Sequence, residues 1–287
     1  MEAKLLNYLD QIREIQPEIV IETVDLNQDG LVNDVVVINN QWVFRFGKIE
    51  SAAKILSAEI RVLKLAQPYL SVKIPVPIYE SSNIVGYPYL PGNPLTLKAL
   101  RMMDRTHQEK LARDLGRFLT DLHNIPVEGK NLPLTFAPVT YEKWVELRAR
   151  IEKAIYPLLL PHQVQWCQDL LDSALKSPSF FKYSSSLIHG DLASYHILFD
   201  ESGLCGVIDF GVAGIGDPAT DVAGLINQFG ETFVSTIRPY YPLYDQTIQR
   251  ARFYAQAIEL QWVMLGVESG ENYWFTAHLG NARDILI

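Results

Sequence analysis

The chain has 287 residues, with a hydrophobic fraction of 48%, a charged fraction of 20% and a formal net charge of -8. That length carries one large domain or two lobes with ample core, and the acid excess argues against a nucleic-acid partner. No apolar run in the sequence reaches membrane-spanning length. The opening MEAKLLNYLDQIREI is charged throughout and lacks the apolar segment of a secretory leader, so a cytoplasmic protein is expected. Cys167 and Cys205 stand alone, without the clustering of a zinc site or a disulfide framework. Cys205 falls in an expected buried strand, which predicts an inert thiol. The net charge would tolerate a cationic substrate through long-range attraction, but solubility alone is the stronger reading of it.

Residues 4–16 read as an amphipathic helix. Ile19 to Val24, Val32 to Ile38 and Gln41 to Phe46 read as strands, the last two joined by Asn39-Asn40. Asn27-Gln28-Asp29-Gly30-Leu31 precedes the second strand, and its single glycine is what any hairpin turn needs. Alternation in Trp42-Val43-Phe44-Arg45-Phe46 puts Trp42, Phe44 and Phe46 on one face, with Val43 and Arg45 on the other. Ser51 to Ala66 reads as a helix with Ile55, Glu59, Val62 and Ala66 on one stripe. Glu59 is thus an acid on a largely apolar face, which costs free energy unless a cation meets it. Arg45 on the preceding strand can supply that cation. Lys73 to Tyr79 is extended and punctuated by proline, an edge strand at most. Ile84 to Leu90 is a strand running into Pro91-Gly92-Asn93-Pro94.

From residue 95 the chain is mainly helical. Thr106 to Leu122 carries a capping box, Thr106-x-x-Glu109, and an apolar stripe of Leu111, Leu115, Phe118, Leu119 and Leu122. Asn124-Ile125-Pro126 ends it. Tyr141 to Leu159 and His162 to Leu175 are further helices, and His123 and His162 read as ordinary surface or capping residues. Asp217-Pro218 opens another helix, with Asp217 as cap and proline at the first position. Val222 to Phe229, Thr232 to Ile237, Tyr244 to Val267 and Asn272 to Ile285 complete the helical part.

The most informative stretch is Leu187 to Gly211, LIHGDLASYHILFDESGLCGVIDFG. Three short apolar runs are separated by His189-Gly190-Asp191 and by the turn Asp200-Glu201-Ser202-Gly203. Asp191 then lies on a loop after one strand, His196 just before a hairpin, and Asp209 at the hairpin's end. Hairpin closure brings His196 and Asp209 together. One carboxylate can orient a hydroxyl and take its proton, while a second, with an imidazole, can hold a divalent metal against phosphates. The register is that of the protein-kinase signature H-R-D-x-x-x-x-N followed by D-F-G, with Gly190 in place of Arg and His196 in place of Asn.

In the Gly190 form the stretch resembles the aminoglycoside phosphotransferase family. His196 at the Asn position is most similar to aminoglycoside 2''-phosphotransferases and macrolide phosphotransferases. The wider run SSSLIHGDLASYHILFDESGLCGVIDFGVAGIGDPATD resembles the former closely, and a weaker likeness spans about Val35 to Ile285. The resemblance implies an α+β, bilobal protein-kinase-like fold. Its first lobe, residues 1–90, would hold a five-stranded sheet and a helix, and residues 91–287 the helical lobe. It implies Asp191 as catalytic base, His196 and Asp209 as Mg²⁺ ligands, and ATP or GTP as co-substrate. Arg45, or Lys48, would bind the phosphates, with Glu59 in support and Gly30 in the phosphate loop. The purine would sit near the hinge, at Tyr87, Tyr89 and Leu90.

Asp217-Pro218-x-x-Asp221 matches a family motif of mainly structural role. Family members that bind aminoglycosides place acids after it and acids with aromatics near the C-terminus. Glu231 is the one acid after the motif, thin for a polycation, whereas the later segment keeps acids and aromatics, with Glu268, Glu271 and Trp274 as candidates. An aminoglycoside-like hydroxyl acceptor is the first expectation, and a macrolide, amino alcohol or sugar the second. Nothing in the sequence sets the oligomeric state. A nucleotide-binding module without turnover is the non-enzymatic competitor, supported by the lone glycine and by Arg for Lys. Asp191 and Asp209 together count against it.

Overall fold

A computed structural model describes residues 2–30, 32–48, 52–135 and 137–270. The chain opens with α1 (Glu2–Ile15), then β1 (Val24–Asn27), β2 (Asn33–Ile38), β3 (Trp42–Gly47), α2 (Ala52–Ala66), β4 (Tyr79–Glu80) and β5 (Ile84–Pro88). These strands form an antiparallel five-stranded sheet in the order β1-β2-β3-β5-β4. Asn39 and Asn40 make the β2–β3 turn at φ 54 and 51, left-handed angles that asparagine tolerates. The two faces of β3 separate as its alternation predicts. Phe44 and Phe46 pack with Tyr8 and Ile12 of α1, while Val43 packs with Leu56 and Ile60 of α2.

The expected strand from Ile19 to Val24 forms later, as β1. The Asn39 side chain occupies the earlier backbone: its Oδ1 accepts from the Glu22 and Thr23 amides at 2.9 Å, and its Nδ2 donates to the Val20 carbonyl. Those groups are therefore engaged by a side chain and not by a neighbouring strand.

After the sheet come β6 (Asn93–Pro94), α3 (Leu97–Met102), α4 (Arg105–His123), α5 (Tyr141–Ala154) and α6 (Pro161–Leu175). The α4 stripe Leu111, Leu115, Phe118, Leu119 and Leu122 is fully buried, as its spacing predicts. Its cap is a different residue from the one expected. Asp104 accepts from the His107 amide at 2.9 Å, which puts Thr106 inside the helix. The helix expected over Tyr141 to Leu159 stops at Ala154, and a 3-10 turn with Pro157 near its start follows.

The next segment supplies β7 (Ser186–Ile188), the hairpin β8 (Ile197–Asp200) and β9 (Gly203–Val207), and β10 (Gly214–Gly216). α7 (Ala219–Phe229), α8 (Glu231–Val234) and the long α9 (Tyr244–Ser269) follow. β6 joins the hairpin as a third strand, and β10 pairs with β7. One apolar core runs from α2 through α4, α5, α7 and α9, and includes Trp144 stacked on Tyr254 at 5.4 Å. The mixture of an N-terminal sheet with a helical C-terminal part is the architecture anticipated above. No helix among the described residues is long and apolar enough to cross a membrane.

Candidate active site

The hairpin fixes the centre of the cleft. Ile197 pairs with Val207, and the Ile208 amide donates to the His196 carbonyl at 2.9 Å. This pairing brings His196 Nε2 within 3.4 Å of Asp209 Oδ2. On the other ring edge, Nδ1 lies 2.9 Å from the Asp191 carbonyl and 3.6 Å from its Oδ2. A carbonyl only accepts, so Nδ1 carries hydrogen and Nε2 is the nitrogen that faces Asp209. The three residues anticipated from sequence converge on one recess.

Arg45 reaches the same recess from β3. Its Nη1 is paired with Glu59 Oε1 of α2, and its Nη2 with Asp209 Oδ1 at 3.1 Å. Glu59 thus finds the partner that its apolar stripe demanded. Lys48, the other candidate cation, turns away. Its Nζ meets Asp34 Oδ1 at 2.9 Å and the Gly30 carbonyl at 2.7 Å, and it also donates to the Gln28 carbonyl. It braces the loop that carries Gly30.

Electrostatics divide the carboxylates. Burial pushes the Asp191 carboxyl above its ordinary range. Burial acts the same way on Asp209, but the Arg45 charge and the His196 hydrogen bond outweigh it and hold Asp209 well below the usual carboxylate range. Burial disfavours imidazolium at His196, yet the Asp209 carboxylate wins and raises it. Asp209 sits at φ 62, a left-handed angle uncommon outside glycine, and functional sites collect such strain.

His189 and Asp221 shape the loop that presents Asp191. His189 Nε2 donates to the Ile208 carbonyl at 3.0 Å, which leaves Nδ1 to accept from the Asp191 amide at 3.2 Å. Asp221, near the start of α7, accepts from the His189 amide at 2.9 Å and the Gly190 amide at 2.8 Å. Gly190 lies at φ 80, and a Cβ there would stand 2.8 Å from Thr135 Oγ1 and 3.0 Å from the Val212 carbonyl. That crowding explains glycine at this position. Sequence reasoning missed the partner on the far side of Asp221, His123, which is buried and whose Nε2 lies 3.0 Å away. Its only signal was a histidine ending a strongly apolar helix face.

The other candidate acids among the described residues are engaged by arginines. Asp217 still receives the Ala219 amide at 3.0 Å, but its carboxylate is gripped by Arg250 at 2.6 and 3.1 Å and by the Tyr254 hydroxyl at 2.9 Å. It is therefore an anchor between α7 and α9, the structural role that the motif implies. Glu231 is 2% exposed and paired through both oxygens with Arg252, so its carboxylate does not face an open acceptor site. Glu268 is exposed and paired with Arg150 at 2.6 Å. Glu271 and Trp274 lie outside the described residues. Tyr87 is buried among Val43, Leu56 and Ile60, whereas Tyr89 and Leu90 are half-buried on the connecting segment. Cys205 is only partly buried, with Sγ 3.4 Å from the Pro91 carbonyl.

A sheet above a helical body, with a loop aspartate, a histidine–aspartate pair and a sheet-borne arginine meeting between them, is the arrangement of a kinase-like phosphotransferase. The chain belongs to the phosphotransferase enzyme family (APH), whose model matches residues 23–254. It is 27% identical over 215 residues to viomycin phosphotransferase from Streptomyces vinaceus, covering 70% of this chain and 72% of that one. It is 26% identical over 239 residues to the uncharacterized protein YcbJ of Bacillus subtilis (strain 168), covering 77% and 75%.

Among solved structures, the GDP complex of wild-type aminoglycoside 2'-phosphotransferase-IIIa superposes with TM-score 0.87 at 28% identity, covering 96% of each chain. The GDP and kanamycin complex of APH(2")-IIIa gives 0.84 at 28% identity, again over 96% of each chain. The apoenzyme of macrolide 2'-phosphotransferase MphH from Brachybacterium faecium, at 19% identity and TM-score 0.74 over 95% of this chain and 96% of that one, shares the fold.

Proposed function

We propose that this phosphotransferase moves the γ-phosphoryl group of ATP or GTP to a hydroxyl of a small antibiotic-like molecule. The observation that carries the reading is the convergence of Asp191, His196 and Asp209 with Arg45 in one recess. Asp191, its carboxyl raised by burial, orients the acceptor hydroxyl and takes its proton. Arg45, held by Glu59, steadies the phosphate tail with a planar fork. The hinge backbone around Tyr87, Tyr89 and Leu90 meets the purine, and the Gly30 loop, braced by Lys48, covers the phosphates.

The donor set fits Mg²⁺. His196 Nε2 and an ionised Asp209 oxygen face each other at 3.4 Å, an imidazole and a hard oxygen with room for a cation between them. Among the described residues no group of three His, Cys, Asp or Glu forms a metal cluster. When bound, Mg²⁺ neutralises charge on the transferring phosphoryl group. The residues' own part is to hold His196 and Asp209 in register through the hairpin.

For the acceptor, the kanamycin-bound neighbour at 28% identity supports an aminoglycoside. A second reading, a less cationic alcohol such as a macrolide, is favoured by the neutralisation of Glu231 by Arg252 and of Glu268 by Arg150. The test is a phosphorylation screen over aminoglycosides, viomycin, macrolides and amino alcohols, with ATP and GTP in parallel and Mg²⁺ varied. Turnover of one acceptor class, abolished in Asp191→Ala with nucleotide binding retained, is the expected result. A chain that binds nucleotide but transfers phosphate to no alcohol or water is a binding module, and the reading falls.

A further inference from the structure

Asp34 is a buried acid that takes no part in the cluster of Asp191, His196, Asp209 and Arg45. It is the second residue of β2 and has no solvent exposure. Four groups converge on its two oxygens. The Tyr8 hydroxyl of α1 donates to Oδ2 at 2.7 Å and the Gln28 side-chain amide at 3.3 Å. Lys4 of α1 meets Oδ2 at 2.6 Å, and Lys48 meets Oδ1 at 2.9 Å. Burial would raise the Asp34 carboxyl, but these contacts outweigh it, Lys4 and Lys48 foremost, and hold it well below the usual carboxylate range. Asp34 is therefore an anion locked between α1, the sheet and the loop that carries Gly30.

Lys48 carries that anchorage into the loop. It follows β3, and its amide donates to the Val32 carbonyl at 2.8 Å, which extends the β2–β3 pairing by one step. An ammonium has three hydrogens. Here each finds an acceptor: Asp34 Oδ1, the Gln28 carbonyl and the Gly30 carbonyl. Gln28 is held twice, its carbonyl by Lys48 and its side chain by Asp34. We infer that Asp34 is a positioning residue for nucleotide binding: it fixes Lys48 and Gln28, which set the backbone path of the loop carrying Gly30, and through Tyr8 and Lys4 it ties that path to α1. In the phosphotransfer reading, on which this inference rests, that loop covers the phosphates. Deprived of the Asp34 anion, the Lys48 head group turns to water and the loop loses its ties to the sheet.

Positioning and plain attraction predict opposite signs. Two ammonium groups share one carboxylate, so the cluster carries a surplus positive charge. Attraction by that charge acts on phosphates whatever the loop does. Asp34→Asn raises the surplus and at the same time offers one accepting oxygen to four donors. Attraction alone predicts tighter nucleotide binding, and positioning predicts weaker binding. Wild type, Asp34→Asn and Tyr8→Phe are compared for affinity toward Mg²⁺-ATP and Mg²⁺-GTP by calorimetry, for melting temperature, and for kcat and nucleotide KM with the best acceptor of the screen. Tyr8→Phe removes one donor from Asp34 and keeps the charge of the cluster. Asp34→Asn is expected to raise nucleotide Kd and KM about tenfold, with a smaller rise in kcat-independent measures for Tyr8→Phe and kcat close to wild type in both.

A folded Asp34→Asn protein that binds nucleotide as tightly as wild type, or more tightly, overturns the inference while leaving phosphotransfer standing. So does a fall in melting temperature with nucleotide Kd unchanged, which reduces Asp34 to a structural residue. Where Asp34→Asn does not fold, Tyr8→Phe decides, and an unchanged nucleotide Kd there overturns the inference. A wild-type protein that binds neither triphosphate overturns the phosphotransfer reading and this inference with it.

Discussion

Two groups of buried charge flank the loop that carries Asp191, and they are built differently. In the cleft, Arg45 divides its guanidinium between Glu59 and Asp209, and Asp209 still keeps 42% of its side chain accessible. Below the loop, Arg250 closes on Asp217 and Arg252 closes on Glu231, each with two guanidinium nitrogens on one carboxylate. The first group leaves carboxylate oxygens and an imidazole edge turned toward a ligand. The second spends its charge on holding α7 and α8 to α9. An acid near the site in sequence is therefore not an acid available to substrate, and the arginines that make the difference lie 33 and 21 residues away along the chain.

That contrast can be broken most severely at Asp191. On the proposed role of its carboxyl at the acceptor's proton, Asp191→Ala should lower kcat by roughly 10²–10⁴-fold, with nucleotide affinity by calorimetry unchanged. Next comes the shared arginine. Glu59→Gln removes one partner of a buried pair, and such losses run to about 3–5 kcal/mol. Asp209 remains to hold Arg45, so chemical denaturation should show a smaller loss than that, together with a raised KM for nucleotide. An unchanged nucleotide KM would mean that Arg45 needs no second anchor.

The structural group responds in the opposite way. Arg252→Met leaves the Glu231 carboxylate buried with two oxygens unmatched. It should cost about 1–3 kcal/mol of stability while kcat of the surviving fold stays at the wild-type value. A fall in kcat with stability intact would place Glu231 at the acceptor after all. The mildest expected effect is at Arg150→Ala, which opens the exposed pair to Glu268 and should shift stability by no more than about 0.5 kcal/mol. An altered acceptor KM there would sharpen the boundary of the substrate site.

What the sequence could convey followed from how local each feature is. The strand, loop and hairpin around Asp191, His196 and Asp209 occupy 25 residues, and their turn chemistry and alternation predict both the pairing and the convergence. Arg45 opposite Glu59 was legible because an acid on an apolar stripe calls for a cation and a neighbouring strand offers one. His123 was not legible, since its partner Asp221 is 98 residues on and only packing of α4 against α7 makes them neighbours. The α4 cap was misread because two capping-type side chains, Asp104 and Thr106, stand two residues apart, and the chain takes the earlier. β1 shifted because Asn39, read as a turn residue, also binds backbone up to 19 residues before it.

The grip of Asp221 on two consecutive amides has a consequence for the time domain. Those N–H groups can swap with solvent deuterium only when the carboxylate lets go, which requires α7 and the loop to part. Their exchange should therefore track opening of the whole helical body and be among the slowest in the chain. The Asp191 carboxyl, one residue further on, stands at the cleft and can follow the rhythm of ligand arrival. Adjacent atoms would then keep two clocks, one for the fold and one for turnover.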